Sequence, residues 1–244
     1  MIMDLLTNLD GRRLRRALPV CLLALSLGLA MGRAQAGAQQ EERLADSVRT
    51  LLASQISDAA PPEPTFTTYE ERLAYLNWLG DMGERLKRRQ PDFQVRQDFL
   101  RSVWYEAKRA GLDPSLVLGL IEVESAFRKH AVSQVGARGY MQVMPFWTRQ
   151  IGNGEPRTLF DMRANLRYGC TILRHYLDIE KGDLYMALGR YNGSRGRPEY
   201  PRAVQTAWKR WQGSGGTATA AKPDRKSTRL NSSHEWISRM PSSA

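Results

Sequence analysis

The segment IEVESAF, Ile121 to Phe127, places two carboxylates, Glu122 and Glu124, two positions apart in an apolar stretch. Carboxylates so placed are candidates for general acid–base chemistry. A helix turns by about 100° per residue, so the two side chains leave its axis about 200° apart and cannot work as a pair on one face. The arc centred on Glu124 holds Val117, Leu120, Ile121 and Phe127, whereas Glu122 falls with Ser115, Gly119 and Ala126. Glu122 is therefore expected to face solvent or a neighbouring helix. Glu124 sits in the apolar face, where ionisation is costly and the carboxyl pKa rises above about 4.3. A carboxyl tuned upward is a general acid near neutral pH. The same placement fits a buried glutamate paired with an arginine, with Arg138 or Arg190 as the partner. The helix alone leaves both readings open.

The elements that must hold this helix are also helical. Asp113 and Pro114 open it, one as N-cap and the other at the first helical position. Upstream, Leu73, Leu76, Leu79 and Met82 recur at helical spacing behind a Thr68–Glu71 capping signature. Phe99, Leu100, Val103, Trp104 and Ala107 repeat the pattern until Gly111 stops it. Downstream, RKHAVSQVGARGYMQVMPFW has little period and reads as an ordered loop. Two more helices follow, broken at Gly182-Asp183, and EYPRAVQTAWKRWQ forms an amphipathic last one. No alternating strand pattern and no internal repeat appears. The chain reads as mostly α, with one domain over residues 68–212 and its core at 112–211.

The two ends read differently. GRRLRR, then the apolar run Ala17 to Met31, then GRAQA describe a secretory signal peptide over residues 1–36, cleaved after Ala36. The product would be exported to the periplasm. Cleavage would leave Cys170 as the single cysteine, a buried small hydrophobe, so no internal disulfide is available. Residues 37–67 read as a polar, Pro-rich linker with room for a short helix before Thr50, and residues 213–223 as a second linker. The tail from Asp224 to Ala244 resembles the read-through translation of a common sequencing adapter and is expected to be non-native.

The formal charge of +11 suggests a polyanionic partner. The tail contributes four basic and two acidic residues and the leader five and two, which leaves +6 between them. There is no zinc-ligand spacing, no Gly-rich phosphate loop and no basic run interleaved with aromatics. Neither a metal, a cofactor nor a nucleic acid is expected.

Three stretches in order, ESAF at 124–127, GARGYMQVMP at 136–145 and GRYNGS at 189–194, resemble the family 1 lytic transglycosylases. These carry the SLT-type domain, related to goose-type lysozyme. Two positions depart from the family pattern, Tyr140 in place of leucine and Gly189-Arg190 ahead of the tyrosine. Some relatives carry a second acidic residue a few positions before the tyrosine that corresponds to Tyr200. Glycine and arginine stand there in this chain, and the adjacent Glu199 does not inherit that role.

The resemblance implies a lysozyme-like helical transglycosylase domain acting on peptidoglycan glycan strands. It implies cleavage of the MurNAc–GlcNAc β-1,4 bond with formation of 1,6-anhydromuramyl ends, and Glu124 as single acid and then base. It places Ser133, Tyr140, Met141, Gln142, Met144, Tyr191 and Asn192 at the substrate. Met144 and Tyr191 also fit core roles, Gln142 a strut within the loop, and Asn192 a turn. A lysozyme-type hydrolase on the same fold, or a non-catalytic peptidoglycan-binding component of an envelope machine, fits the same motifs. The enzyme reading serves wall turnover or an envelope-spanning secretion or conjugation apparatus equally.

Overall fold

A computed structural model describes residues 39–57 and 64–212. The expected signal peptide, part of the first linker, the whole second linker and the adapter-like tail lie outside these residues. Among the described residues the chain is mostly helical, and only isolated antiparallel bridges, Val132 with Arg138 and Arg138 with Val143, interrupt that.

The first helix, α1 (Asp46–Ser57), lies inside the segment expected to be a linker. Val48, Leu52 and Ile56 recur every four residues and turn onto the core, with Leu52 buried. Scattered among serines and threonines, that stripe is thin; the short helix allowed before Thr50 is found, but further along, at Asp46–Ser57. Next, α2 (Tyr69–Leu86) begins at the expected cap, with the Thr68 side chain accepting from the Glu71 amide at 3.2 Å. The reciprocal bond is displaced by one residue, since the Thr67 amide donates to Glu71 Oε2 at 3.0 Å. Then α3 (Phe93–Arg109) is capped by Asp92, which accepts from the Val95 amide at 2.8 Å.

The glutamate helix is α4 (Pro114–Ser125), with Asp113 capping the Ser115 amide at 2.8 Å. Val117, Leu118, Leu120 and Ile121 are all fully buried, so this helix is enclosed on nearly every side rather than amphipathic. It ends abruptly. Ala126 and Phe127 both adopt left-handed backbone, with φ of 49° and 64°, a conformation that costs non-glycine residues energy.

A short α5 (Phe146–Ile151) and a 3₁₀ turn (Pro156–Phe160) lead to α6 (Met162–Ile179), α7 (Leu184–Tyr191) and α8 (Glu199–Trp211). The break before α7 falls where expected, with Gly182 at φ 86°. The most extensive helix–helix contact is that of α4 with α8. It depends on Gly119, because a Cβ there would sit 2.6 Å from the backbone nitrogen of Trp208. No helix among the described residues is long and apolar enough to cross a membrane.

Candidate active site

Glu124 lies in the last turn of α4 and is 4% exposed. Its Oε1 accepts a hydrogen bond from the hydroxyl of Tyr200, at the start of α8. Its Oε2 is buried and has no hydrogen-bond partner. Burial pushes the carboxyl up to about 8, and the Tyr200 bond pulls it back only in part. No charged neighbour contributes to that shift.

The paired alternative does not occur. Arg138 donates to the Pro156 carbonyl at 3.0 Å and stacks over Phe160. Arg190 pairs with Glu180 at 2.9 Å and Glu42 at 2.7 Å. A second buried glutamate makes the contrast plain. Glu106, 2% exposed on α3, receives Arg167 Nη2 at 2.8 Å and Nε at 3.0 Å. One buried carboxylate is neutralised by guanidinium, and the other is left with a phenol.

Glu122 does face helix neighbours. It pairs with Arg89 at 3.0 Å and Arg210 at 3.4 Å, and accepts from the Trp211 indole at 2.7 Å. It pins the chain just after α2 and the end of α8 to α4, on the side away from Tyr200.

The Gly-rich loop is tied to α4 through Ser125, whose hydroxyl donates to the Tyr140 carbonyl at 2.7 Å. Asn165 on α6 holds it from below. Its Oδ1 accepts from the Met141 amide at 2.8 Å, and its Nδ2 donates to the carbonyls of Arg138 at 2.9 Å and Leu159 at 2.8 Å. Gly139, at φ 77°, leaves no room for a Cβ, which would meet Asn165 Nδ2 at 2.3 Å. Gly169 likewise makes room for Met141.

The motif residues divide between scaffold and surface. Tyr140 is a core side chain, 4.8 Å from the Phe99 ring centroid, and its hydroxyl accepts from Gln90 at 3.2 Å. Met141 is fully buried. Tyr191 is also fully buried and donates to the Met141 carbonyl at 2.8 Å. Burial raises its phenol, and the nearby Glu124 carboxylate adds to the rise. Gln142 adopts φ 49° and braces its own loop, donating to the carbonyls of Gly139 at 3.0 Å and Ala131 at 3.2 Å. Ser133 accepts from the Ala137 amide at 3.0 Å and stays partly exposed, as does Met144. Asn192 donates to Ser194 at 3.0 Å and leaves its buried Oδ1 unpartnered.

Sequence reasoning passed over Tyr200 as a partner of Glu124. Its signal was the stripe Tyr200, Val204, Ala207 and Trp211, which marks the buried face of α8 but not what the hydroxyl meets. It also missed Asn165, a polar residue inside an apolar helix, and the buried Glu106.

Residues 102–210 match the family model described as "Transglycosylase SLT domain". The membrane-bound lytic murein transglycosylase C of Actinobacillus pleuropneumoniae serotype 5b (strain L20) is 40% identical over 100 residues, covering 41% of this chain and 26% of that protein. The protein of the same name from Glaesserella parasuis serovar 5 (strain SH0165) is 36% identical over 113 residues, covering 40% and 31%. The transglycosylase of Enterobacteria phage PRD1 is 36% identical over 95 residues, covering 37% and 34%. The chain thus spans about a quarter to a third of these relatives' lengths. The helical body that holds Glu124 between α4 and α8 falls in the stretch of this chain that is similar to the transglycosylase SLT domain.

Proposed function

We propose that this chain is a peptidoglycan lytic transglycosylase, with Glu124 as its single acid and base. The observation that carries the proposal is a buried, unpaired carboxyl whose ionisation no charged neighbour perturbs. With a pKa near 8 it is mostly protonated at neutral pH and ready to donate.

The proton of Glu124 passes to the glycosidic oxygen of the MurNAc–GlcNAc bond as the C1–O4 bond breaks. The muramyl ring becomes oxocarbenium-like. Glu124, now ionised, takes the proton of the ring's own C6 hydroxyl as O6 bonds to C1. The carboxyl ends as it began, no water is consumed, and the product is a 1,6-anhydromuramyl end. The Tyr200 hydroxyl steadies the carboxylate between the two transfers. Ser133 and Met144, the two motif side chains with exposed surface beside the loop, would line the sugar path. Tyr140, Met141, Gln142 and Tyr191 would act by holding that loop in shape.

An inverting hydrolase needs a second carboxylate roughly 6.5–9.5 Å away to activate water. Glu122 lies on the wrong side of α4 and is engaged by two arginines and an indole. Mass spectrometry of muropeptides released from purified sacculi is the test. Products lighter by one water than the hydrolytic ones are expected, and reducing ends alone would overturn the mechanism.

The proposal carries a location with it. The substrate lies in the cell envelope, and the leader at residues 1–36 would deliver the chain there. Glycan strands are its proposed partner. The same chemistry would open a path for an envelope-spanning secretion or conjugation apparatus, which pull-down of such a complex from the native host would reveal.

A further inference from the structure

A group that must reach a polymer is nearly sealed in this structure. The chain ahead of α1 packs against the end of the same motif loop. Gln39 is 4% exposed. Its Oε1 accepts from the Met144 amide at 3.2 Å and from the Trp147 indole at 3.0 Å. Its Nε2 is buried and makes no well-formed hydrogen bond, though it lies close enough to Tyr191 to lower that phenol. The same phenol feels the Glu124 carboxylate. Gln39 and Glu124 thus both lie near enough to Tyr191 to influence it.

The residues that follow fasten this segment to the surface. Glu41 faces Arg149 at 3.7 Å. The Glu42 carboxylate accepts from Arg190 at 2.7 Å, and its carbonyl accepts from Gln150 at 3.0 Å. These are largely exposed contacts of the kind that hold weakly and release readily.

We propose that residues 39–42 form a pseudo-substrate strap, in which the Gln39 carboxamide occupies the place of a sugar acetamido group and must leave before glycan reaches Glu124. The proposal rests on the peptidoglycan reading above and adds a self-inhibited state to it. The chemistry of the two groups is matched. A carboxamide and an acetamido group present the same planar carbonyl, to which the Met144 amide and Trp147 indole would donate equally. They differ in donors. Gln39 buries an NH₂ that makes no well-formed hydrogen bond, and an acetamido group brings only one N–H. Replacement by the sugar thus relieves part of an unmet polar cost. The exposed anchors fix the strap without making its release slow.

The test uses the full chain carrying Glu124→Gln, so that an oligomer of N-acetylglucosamine is bound without being cleaved. Amide hydrogen exchange across residues 39–44 is followed with and without the hexamer, and its Kd is measured with Gln39→Ala and with Glu42→Ala added. Binding should deprotect the strap, and either substitution should tighten Kd about tenfold by removing the occluded population. A strap that stays protected while the hexamer is bound overturns the proposal. So does weaker binding by Gln39→Ala, which would make Gln39 part of the sugar site. Failure of every variant to bind the hexamer would instead remove the peptidoglycan reading on which the strap depends.

Discussion

The hydroxyl of Tyr200 donates to Oε1 of Glu124 inside a closed core, and it is the only hydrogen bond that carboxyl makes among the described residues. Burial sets how weakly acidic the group is, and this one contact moderates that and holds the carboxyl where α4 and α8 meet.

Glu124→Gln should lower turnover by about 100- to 10,000-fold, the usual worth of a general acid. It should also change stability in a pH-dependent way. The folded carboxyl titrates near 8 and the unfolded one near 4.5, so the folded state holds the extra proton between those values. Parent stability is therefore fullest below about 4.5 and falls as pH rises to 8, by about 1.4 kcal/mol per unit. The amide carries no such cost. Denaturant unfolding at pH 5 and pH 8.5 should show the variant close to the parent at the lower pH and several kcal/mol more stable at the higher. A parent that gains stability on the alkaline side would contradict the burial argument.

Tyr200→Phe removes the group that pulls the Glu124 pKa down. The alkaline limb of the rate profile should move upward, and turnover should drop about tenfold or more as the ionised intermediate loses a charge-assisted bond. Rates measured from pH 5 to 10 check both. An unshifted limb would mean that the phenol is only filling space.

Glu106→Ala supplies the comparison. It removes the carboxylate that receives Arg167 Nη2 and Nε in a site where both side chains are nearly buried, and should cost about 3 kcal/mol. The pH profile of the remaining activity should keep its shape. Thermal melts alongside rate profiles separate the two buried glutamates by role.

Asn165→Ala removes the partner of the Met141 amide and the Leu159 carbonyl, while the Arg138 carbonyl keeps the Val143 amide at 3.0 Å. Each buried orphan costs about 1–3 kcal/mol, so a loss of at least 2 kcal/mol is expected in chemical denaturation. Turnover should suffer at temperatures where the variant is still folded, because the loop then lacks its anchor. Asn165→Asp should be no rescue, since a carboxylate cannot donate to the two carbonyls.

Much of this site could be read from residue order. The 200° separation of Glu122 from Glu124 needed only helical geometry, and the caps at Thr68 and Asp113 needed only local side-chain reach. The mostly helical class followed from the same periodicity. What sequence could not supply was pairing over distance. Tyr200 is 76 residues from Glu124 and Asn165 is 24 from Met141, and nothing local at either position names its partner. Arg138 and Arg190 illustrate the same limit, since both had the right charge for Glu124 and both are engaged elsewhere. In α1, a three-residue stripe was too sparse to outweigh its polar setting until the surface it covers was known.

The left-handed pair Ala126–Phe127 has a further consequence. Neither residue is glycine, so the halt in α4 is enforced from outside, by the Phe127 ring seated near Phe99 at 6.1 Å and Trp211 at 5.3 Å. Releasing that ring would let the backbone relax toward another helical turn and swing the carboxyl out of register. The ring is itself part of the core, so such a slip has no cheap local route. The acid keeps its address for as long as the whole domain stays folded, and the amide of Ala126 should exchange with solvent only through global unfolding.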